Sequence, residues 1–274
     1  MKRSQEQKAV YFRKLHEGPG AFMIPNPWDV ASARILSNMG FEAVATSSAA
    51  SAAVLGQKDG RLGRDRALSH ALSIVEAIDL PISADLENGF GDAPEVVAET
   101  IYQASKVGLV GCAIEDSTGN PEHPLYEIDL AVARIAAAVE VARRLPFPFT
   151  LTARAHNFLY PSPRIDDTIK RLQAYEKAGA DVLFAPGLPD IAAVREVCAA
   201  LSKPVNFMVG IKGKSFSVAE LEAAGVRRIS FGTSLYRAAM SGFLDSVSEI
   251  RSTGQFGFID HSTTMAELYK LMAI

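Results

Sequence analysis

The chain has 274 residues, 48% of them hydrophobic and 22% charged, with a formal net charge of -3. That length suits one large α/β domain, and the near-balanced charge excludes the basic footprint of a nucleic-acid binder or of a protein held on an anionic membrane. The two cysteines, Cys112 and Cys198, form neither a metal-ligand spacing nor a disulfide framework; with no signal segment and no apolar run able to span a bilayer, the expected home is the cytoplasm.

Residues 3–17 read as an N-terminal helix that stops at Gly18-Pro19-Gly20 and lies as a cap over the rest of the fold. Eight strand-then-helix units then succeed one another: 21–24 with 29–39, 41–46 with 66–78, 80–86 with 94–106, and 109–114 with 129–144. The remaining four are 147–153 with 165–178, 181–185 with 189–201, 205–209 with 218–224, and 228–231 with 234–250. The strands are continuously apolar rather than alternating, as in a parallel sheet buried on both faces. Three helix-to-strand junctions share one form, in which Gly40, Gly179 or Gly225 ends the helix and the next strand begins at once. Eight such units, with no G-x-G-x-x-G opening the first helix, predict a (β/α)8 TIM barrel over residues 1–274 rather than an open doubly wound sheet. No linker divides the chain. Residues 254–274 read as a short loop and a final helix, an extension packed on the barrel or on a neighbouring subunit.

A parallel barrel places its active site at the C-terminal ends of its strands. There the third strand delivers Asp85 and Glu87, the fourth Glu115 and Asp116, and the fifth Arg154 and His156. Carboxylates this dense repel one another unless a cation sits among them. Hard oxygen donors without a His or Cys cluster favour Mg²⁺, with Mn²⁺ as the alternative. Arg154 offers a planar, bidentate partner for a substrate carboxylate or a developing oxyanion. The run 46–53, small and hydroxyl-rich, is either a tightly packed loop or a nest presenting backbone N–H groups to a carboxylate. Asp59, in Gly56-Gln57-Lys58-Asp59, reads by itself as a solvated loop acid, and His123 as an exposed loop histidine.

These stretches resemble the isocitrate lyase/phosphoenolpyruvate mutase superfamily over nearly the whole chain. The resemblance is carried by Asn26-Pro27-Trp28-Asp29, Thr46-Ser47-Ser48-Ala49, Gly56-Gln57-Lys58-Asp59, Ala84-Asp85-Leu86-Glu87-Asn88-Gly89-Phe90-Gly91, Ala113-Ile114-Glu115-Asp116 and Thr152-Ala153-Arg154. It implies that Asp85 is the direct Mg²⁺ ligand, with Asp59, Glu87 and Glu115 holding metal-bound waters. It further implies that Ser47 and the backbone of Ser48 and Ala49 take the carboxylate of a small 2-oxo acid, and that Arg154 stabilises an enolate. The superfamily's barrels exchange the eighth helix between subunits, which implies a homodimer or homotetramer.

The loop after the fourth strand departs from the pattern. Lyases of the superfamily carry Lys-Lys-Cys-Gly-His there, with the cysteine as acid/base; this chain has Ser117-Thr118-Gly119-Asn120-Pro121-Glu122-His123. Cys112 lies upstream, within the strand. Thr118, Asn120, Glu122 and His123 are the loop groups able to act as acid, base or nucleophile, and His156 stands where relatives more often have an acid. The expected function is Mg²⁺-dependent C–C cleavage of a small 2-oxo acid or 2-hydroxy di- or tricarboxylate through an enolate, with Arg154, His123 and Glu115 as catalytic groups. Substrate contacts would come from residues 47–49, Asp85, Arg154 and His156. Phosphonopyruvate hydrolysis or phosphonomutase chemistry, oxaloacetate hydrolysis or decarboxylation, and non-catalytic 2-oxo acid binding are the alternatives.

Overall fold

The structure, a computed structural model, describes residues 2–273. In chain order its elements are α1 (Gln5–Glu17), β1 (Phe22–Ile24), α2 (Val30–Asn38), β2 (Val44–Ala45), α3 (Ser48–Val54), α4 (Arg64–Ala77), β3 (Ile82–Asp85), α5 (Pro94–Lys106) and β4 (Gly111–Glu115). They continue with α6 (Ile128–Arg144), β5 (Thr150–Arg154), α7 (Ile165–Lys177), β6 (Val182–Phe184), α8 (Ile191–Ala199), β7 (Val205–Met208), α9 (Val218–Ala223), β8 (Arg228–Ser230), α10 (Ser234–Thr253) and α11 (Met265–Met272). Side-chain caps fix several helix starts: Ser4 with Gln7, Asp29 with Ser32, and Ser217 with Glu220 each close a reciprocal capping box.

The strands form one parallel eight-stranded sheet in the order β1-β8-β7-β6-β5-β4-β3-β2, the expected (β/α)8 barrel. Its seam lies between β1 and β2, where the Ala45 N–H donates to the Pro25 carbonyl at 3.0 Å. Asn26 reinforces the seam from both sides. Its Nδ2 donates to the Thr46 carbonyl, and its Oδ1 accepts from the N–H groups of Phe231 and Gly232, each at 2.9 Å. The junction glycines Gly40, Gly179 and Gly225 all have positive φ, at 88°, 101° and 100°, so each helix turns directly into the next strand as the repeated motif predicts.

At the N-terminal end of the strands α1 forms a floor. Phe12 is fully buried and packs edge-on against Phe22 and His16, with Ala9, Ile24 and Val110 around it. A larger apolar layer lies between the strands and the surrounding helices, from Val44 and Ile82 to Leu172 and Ile229. Cys112 is buried in that layer and Cys198 is partly buried; both are free thiols.

Two expectations need correction. The hydrogen-bonded strands are shorter than the apolar runs, most of all at β2, because flanking residues such as Ala43 are apolar for packing rather than for ladder pairing. The run 46–53 is not a loop: its alanines form α3, with Ser47 as N-cap accepting from the Ala50 N–H at 3.4 Å. At the other end α10 has no buried residue, and Phe243 and Leu244 are 57% and 60% exposed. The chain then returns, and α11 packs on α2, where Asn38 donates to the carbonyl of Leu271 at 2.8 Å.

Candidate active site

The C-terminal ends of the strands open into a cavity of about 670 Å³. Asp85, Glu115 and Arg154 are the last residues of β3, β4 and β5, and the pairing of these neighbouring strands brings the three together. Arg154 Nη1 lies 3.2 Å from Glu115 Oε2 and 3.5 Å from Asp85 Oδ2. Burial opposes the charge on Arg154, but Glu115 and Asp85 outweigh it and hold the guanidinium firmly protonated. Burial alone would raise Glu115, yet Arg154 and His156 keep its carboxyl below the ordinary value. For Asp85 burial prevails over Arg154, and Glu115 and Asp59 add to it, so its carboxyl is raised. Both acids share the arginine; Glu115 has His156 as a second partner, whereas Asp85 faces further acids.

Glu87 follows on the loop after β3 and is pushed up to about 7, first by burial and then by Asp59, Asp85 and Glu115. Its backbone sits in the left-handed region at φ 51°, and Phe90 does so at φ 63°; non-glycine residues held this way are characteristic of functional loops. The loop is fixed from outside by Arg134 of α6, which donates to the carbonyls of Asn88, Gly91 and Asp92 and lies over the Tyr126 ring at 4.1 Å. Asp59 is exposed on its own loop and lines the same cavity.

Ser47, Ser48 and Ala49 line the cavity at the start of α3. Ser48 turns its Oγ and N–H to Asp85 Oδ2, at 3.2 and 3.5 Å, while Thr46 Oγ1 accepts from the Asp85 N–H at 3.2 Å. His156 lines the opposite side. Its Nδ1 is 3.1 Å from Glu115 Oε2 but off the axis of a ring N–H bond, so the atom has no formed hydrogen bond. His123 is exposed and stands outside the cavity lining; its carbonyl accepts from Thr118 Oγ1. Ser117, Thr118 and Gly119 of the same loop do line it.

Several residues escaped the sequence reading. Tyr160 lines the cavity beside His156 and shares a 2.7 Å hydrogen bond with Ser117; nothing in its loop marked it. Asp116, expected at the rim with Glu115, is instead buried behind the site, where it accepts from Tyr175 Oη at 2.6 Å, Arg171 Nη1 at 3.2 Å and the His156 N–H at 2.8 Å. Arg228, Asn206 and Ser230 line the cavity from β7 and β8. The period of two along a strand was the available signal for these three, since it turns them inward.

Among the described residues, no group of three or more His, Cys, Asp and Glu side chains is gathered to hold an ion directly. The donor chemistry nevertheless fits a hard divalent cation. Asp85, Glu87, Glu115 and Asp59 share one cavity, Arg154 is shared by Asp85 and Glu115, and Asp85 and Glu87 are left resisting ionisation. Mg²⁺ typically takes only one or two protein carboxylates and keeps its waters.

Acids and an arginine on successive strand ends of a (β/α)8 barrel form a candidate active site, and comparison with known proteins gives its class as lyase/mutase. Residues 12–251 match the phosphoenolpyruvate phosphomutase family, and the chain belongs to it. A provisionally named 2-methylisocitrate lyase 2 of Corynebacterium glutamicum is 29% identical, covering 98% of this chain and 89% of its own length. The oxaloacetate decarboxylase of Ectopseudomonas mendocina is also 29% identical, over 96% of this chain and 92% of its own. In structure, a provisionally assigned lyase/mutase of Burkholderia cenocepacia J2315 superposes with a TM-score of 0.96 and 50% identity, covering 98% of this chain and 97% of that one.

Proposed function

We propose that this enzyme cleaves a C–C bond in a small 2-oxo acid, or in a 2-hydroxy di- or tricarboxylate, by way of an enolate. One observation carries the reading: Arg154 stands between Asp85 and Glu115 at the ends of three adjacent strands, 3.5 and 3.2 Å away. Asp85 would hold a divalent cation, Mg²⁺ or Mn²⁺, with Glu87, Glu115 and Asp59 reaching it through water. When bound, the cation supplies Lewis acidity to a carbonyl oxygen. Arg154, locked in its charged form, is placed to stabilise negative charge as it develops on that oxygen, and its buried Nε has no other partner. Ser47, Ser48 and Ala49 are placed to hold the acid's carboxylate once Ser48 releases Asp85. His156 and the Ser117–Tyr160 pair face the remaining space, where a proton is to be delivered or removed; His123 would need to swing inward to take part.

Within that reading oxaloacetate is a candidate substrate supported by the decarboxylase relative, while the loop 117–126, which has no cysteine, favours P–C chemistry as the second reading. The test offers the purified enzyme 2-methylisocitrate, oxaloacetate and phosphonopyruvate with Mg²⁺, following 2-oxo acid and phosphate together. Consumption of 2-methylisocitrate, with a 2-oxo acid formed, or of oxaloacetate, with its C–C bond broken, and no phosphate from phosphonopyruvate, is expected, and Asp85→Asn should abolish that consumption. Phosphate and pyruvate released from phosphonopyruvate, with 2-methylisocitrate and oxaloacetate left intact, would reject C–C cleavage in favour of P–C hydrolysis. No turnover, with Mg²⁺-dependent oxalate binding intact, would leave a binding protein.

We also propose that a second copy of the chain covers α10 by helix exchange, giving a dimer or tetramer. What supports this is the exposed apolar row Phe243, Leu244, Val247 and Ile250 on a helix with no buried residue.

A further inference from the structure

The inner wall of a (β/α)8 barrel is ordinarily filled by Val, Ile and Leu. Here the part built by β7 and β8 is largely polar: Asn206, Arg228 and Ser230 are buried and, with Met208, line the cavity that Asp85 and Arg154 share. Arg228 Nη1 donates to Thr152 Oγ1 at 3.0 Å. Thr152 precedes Arg154 by two positions on β5, so the Arg228 guanidinium lies one layer deeper, about 6.6 Å of strand. Beneath it, 5.9 Å away, is the Phe12 ring of the floor.

Arg228 is 4% exposed, and its Nε is buried with no partner. The other buried arginines are answered. Glu115 and Asp85 flank Arg154, Asp116 and Asp167 flank Arg171, and backbone carbonyls receive Arg134. No salt bridge reaches Arg228 among the described residues. A buried charge without a counter-charge is strongly unfavourable, and this one faces a cavity. Beside it, Asn206 Nδ2 donates to Ser230 Oγ at 3.0 Å and Asn206 Oδ1 is buried without a partner. A hydroxyl donates as well as accepts, so this amide can meet Ser230 with either end and turn the other to a ligand.

We propose that Arg228, with Asn206 and Ser230, is a carboxylate subsite at the closed end of the cavity. It receives the second carboxylate of a substrate whose 2-oxo acid head is held by Asp85, Arg154 and residues 47–49, and it therefore rests on the function proposed for that head. The guanidinium's fork matches a carboxylate bidentately. One layer of strand is about the reach of a short diacid, so the substrate class selected is a dicarboxylate rather than a 2-oxo acid with an apolar tail.

The full-length protein with Mg²⁺ is titrated by calorimetry with two ligands. Oxalate offers the head alone; 3,3-difluorooxaloacetate offers the head and a second carboxylate, and has no C3 hydrogen to lose. Arg228→Met is expected to weaken 3,3-difluorooxaloacetate about thirtyfold or more and oxalate less than about twofold. Its melting temperature should stay at or above that of the parent, because an uncompensated buried charge is gone. Arg228→Lys keeps the charge but loses the fork; a smaller loss confined to the larger ligand is expected, and this variant decides the matter if the methionine variant does not fold. Equal weakening of both ligands, or of neither, overturns the subsite. Failure of the parent to bind oxalate overturns the 2-oxo acid reading, and the subsite with it.

Discussion

Glu115 and Asp116 are adjacent and chemically alike, yet β4 sends them to opposite sides. Glu115 faces the cavity and shares Arg154; Asp116 faces outward into α7, where Tyr175 and Arg171 stand one helical turn apart to receive it. Burial raises the Asp116 carboxyl, and Tyr175, the His156 N–H and Arg171 oppose that rise. Asp116 is therefore a positioning residue, which steadies the backbone of His156 from behind. Tyr175→Phe removes one donor from a buried acid, and urea unfolding should show about 1–3 kcal/mol of lost stability. Oxalate binding should change less than about twofold, since nothing facing the ligand has moved. A large loss of binding at unchanged stability would place Tyr175 in the site itself.

At the level of elements, the barrel was legible because its evidence is repeated. The eight units and the three junction glycines state the same rule many times over, and the strand-end charges follow from it. What the sequence could not show were features specified by a distant partner. The serines and alanines of 46–53 fit a loop as well as a helix, and the contact that ties the start of α3 to the site is made by Asp85, 37 residues from Ser48 in sequence. Arg228 is the second of two adjacent arginines at the start of a short strand, and its depth depends on Thr152, 76 residues away. The loop 117–126 was marked by what it lacks, and local sequence carries no sign that its Ser117 would meet Tyr160.

For the molecule as a whole, two terms dominate. Covering the apolar row of α10 is expected to hold copies together, so light scattering at micromolar concentration should find a dimer or larger. Leu244→Asp, which sets a charge in that row, should shift the population to monomer; a parent that is already monomeric overturns the helix exchange. The second term is acid stability. His16 is lowered from the ordinary 6.5 to about 3, by burial first and the Arg228 charge second, against the Phe12 carbonyl that supports its Nδ1–H. In the folded chain it stays neutral while the unfolded chain protonates it below about pH 6.5. Stability is therefore lost as pH falls from there toward 3, by about 1.4 kcal/mol per unit from this residue. Urea unfolding at pH 7 and pH 5 should show His16→Leu losing about 2 kcal/mol less than the parent over that interval. An identical pH dependence in the two proteins would remove His16 as a source of acid sensitivity.

The floor that α1 and Phe12 build has a kinetic meaning as well as a packing one. A vessel stoppered at the bottom has one mouth, and whatever goes in first comes out last. On the cleavage proposed, the fragment nearer the loop 117–126 would be free to go, while the fragment seated behind it would wait. The chain's first helix, which carries none of the proposed catalytic groups, would thereby set the order in which products depart.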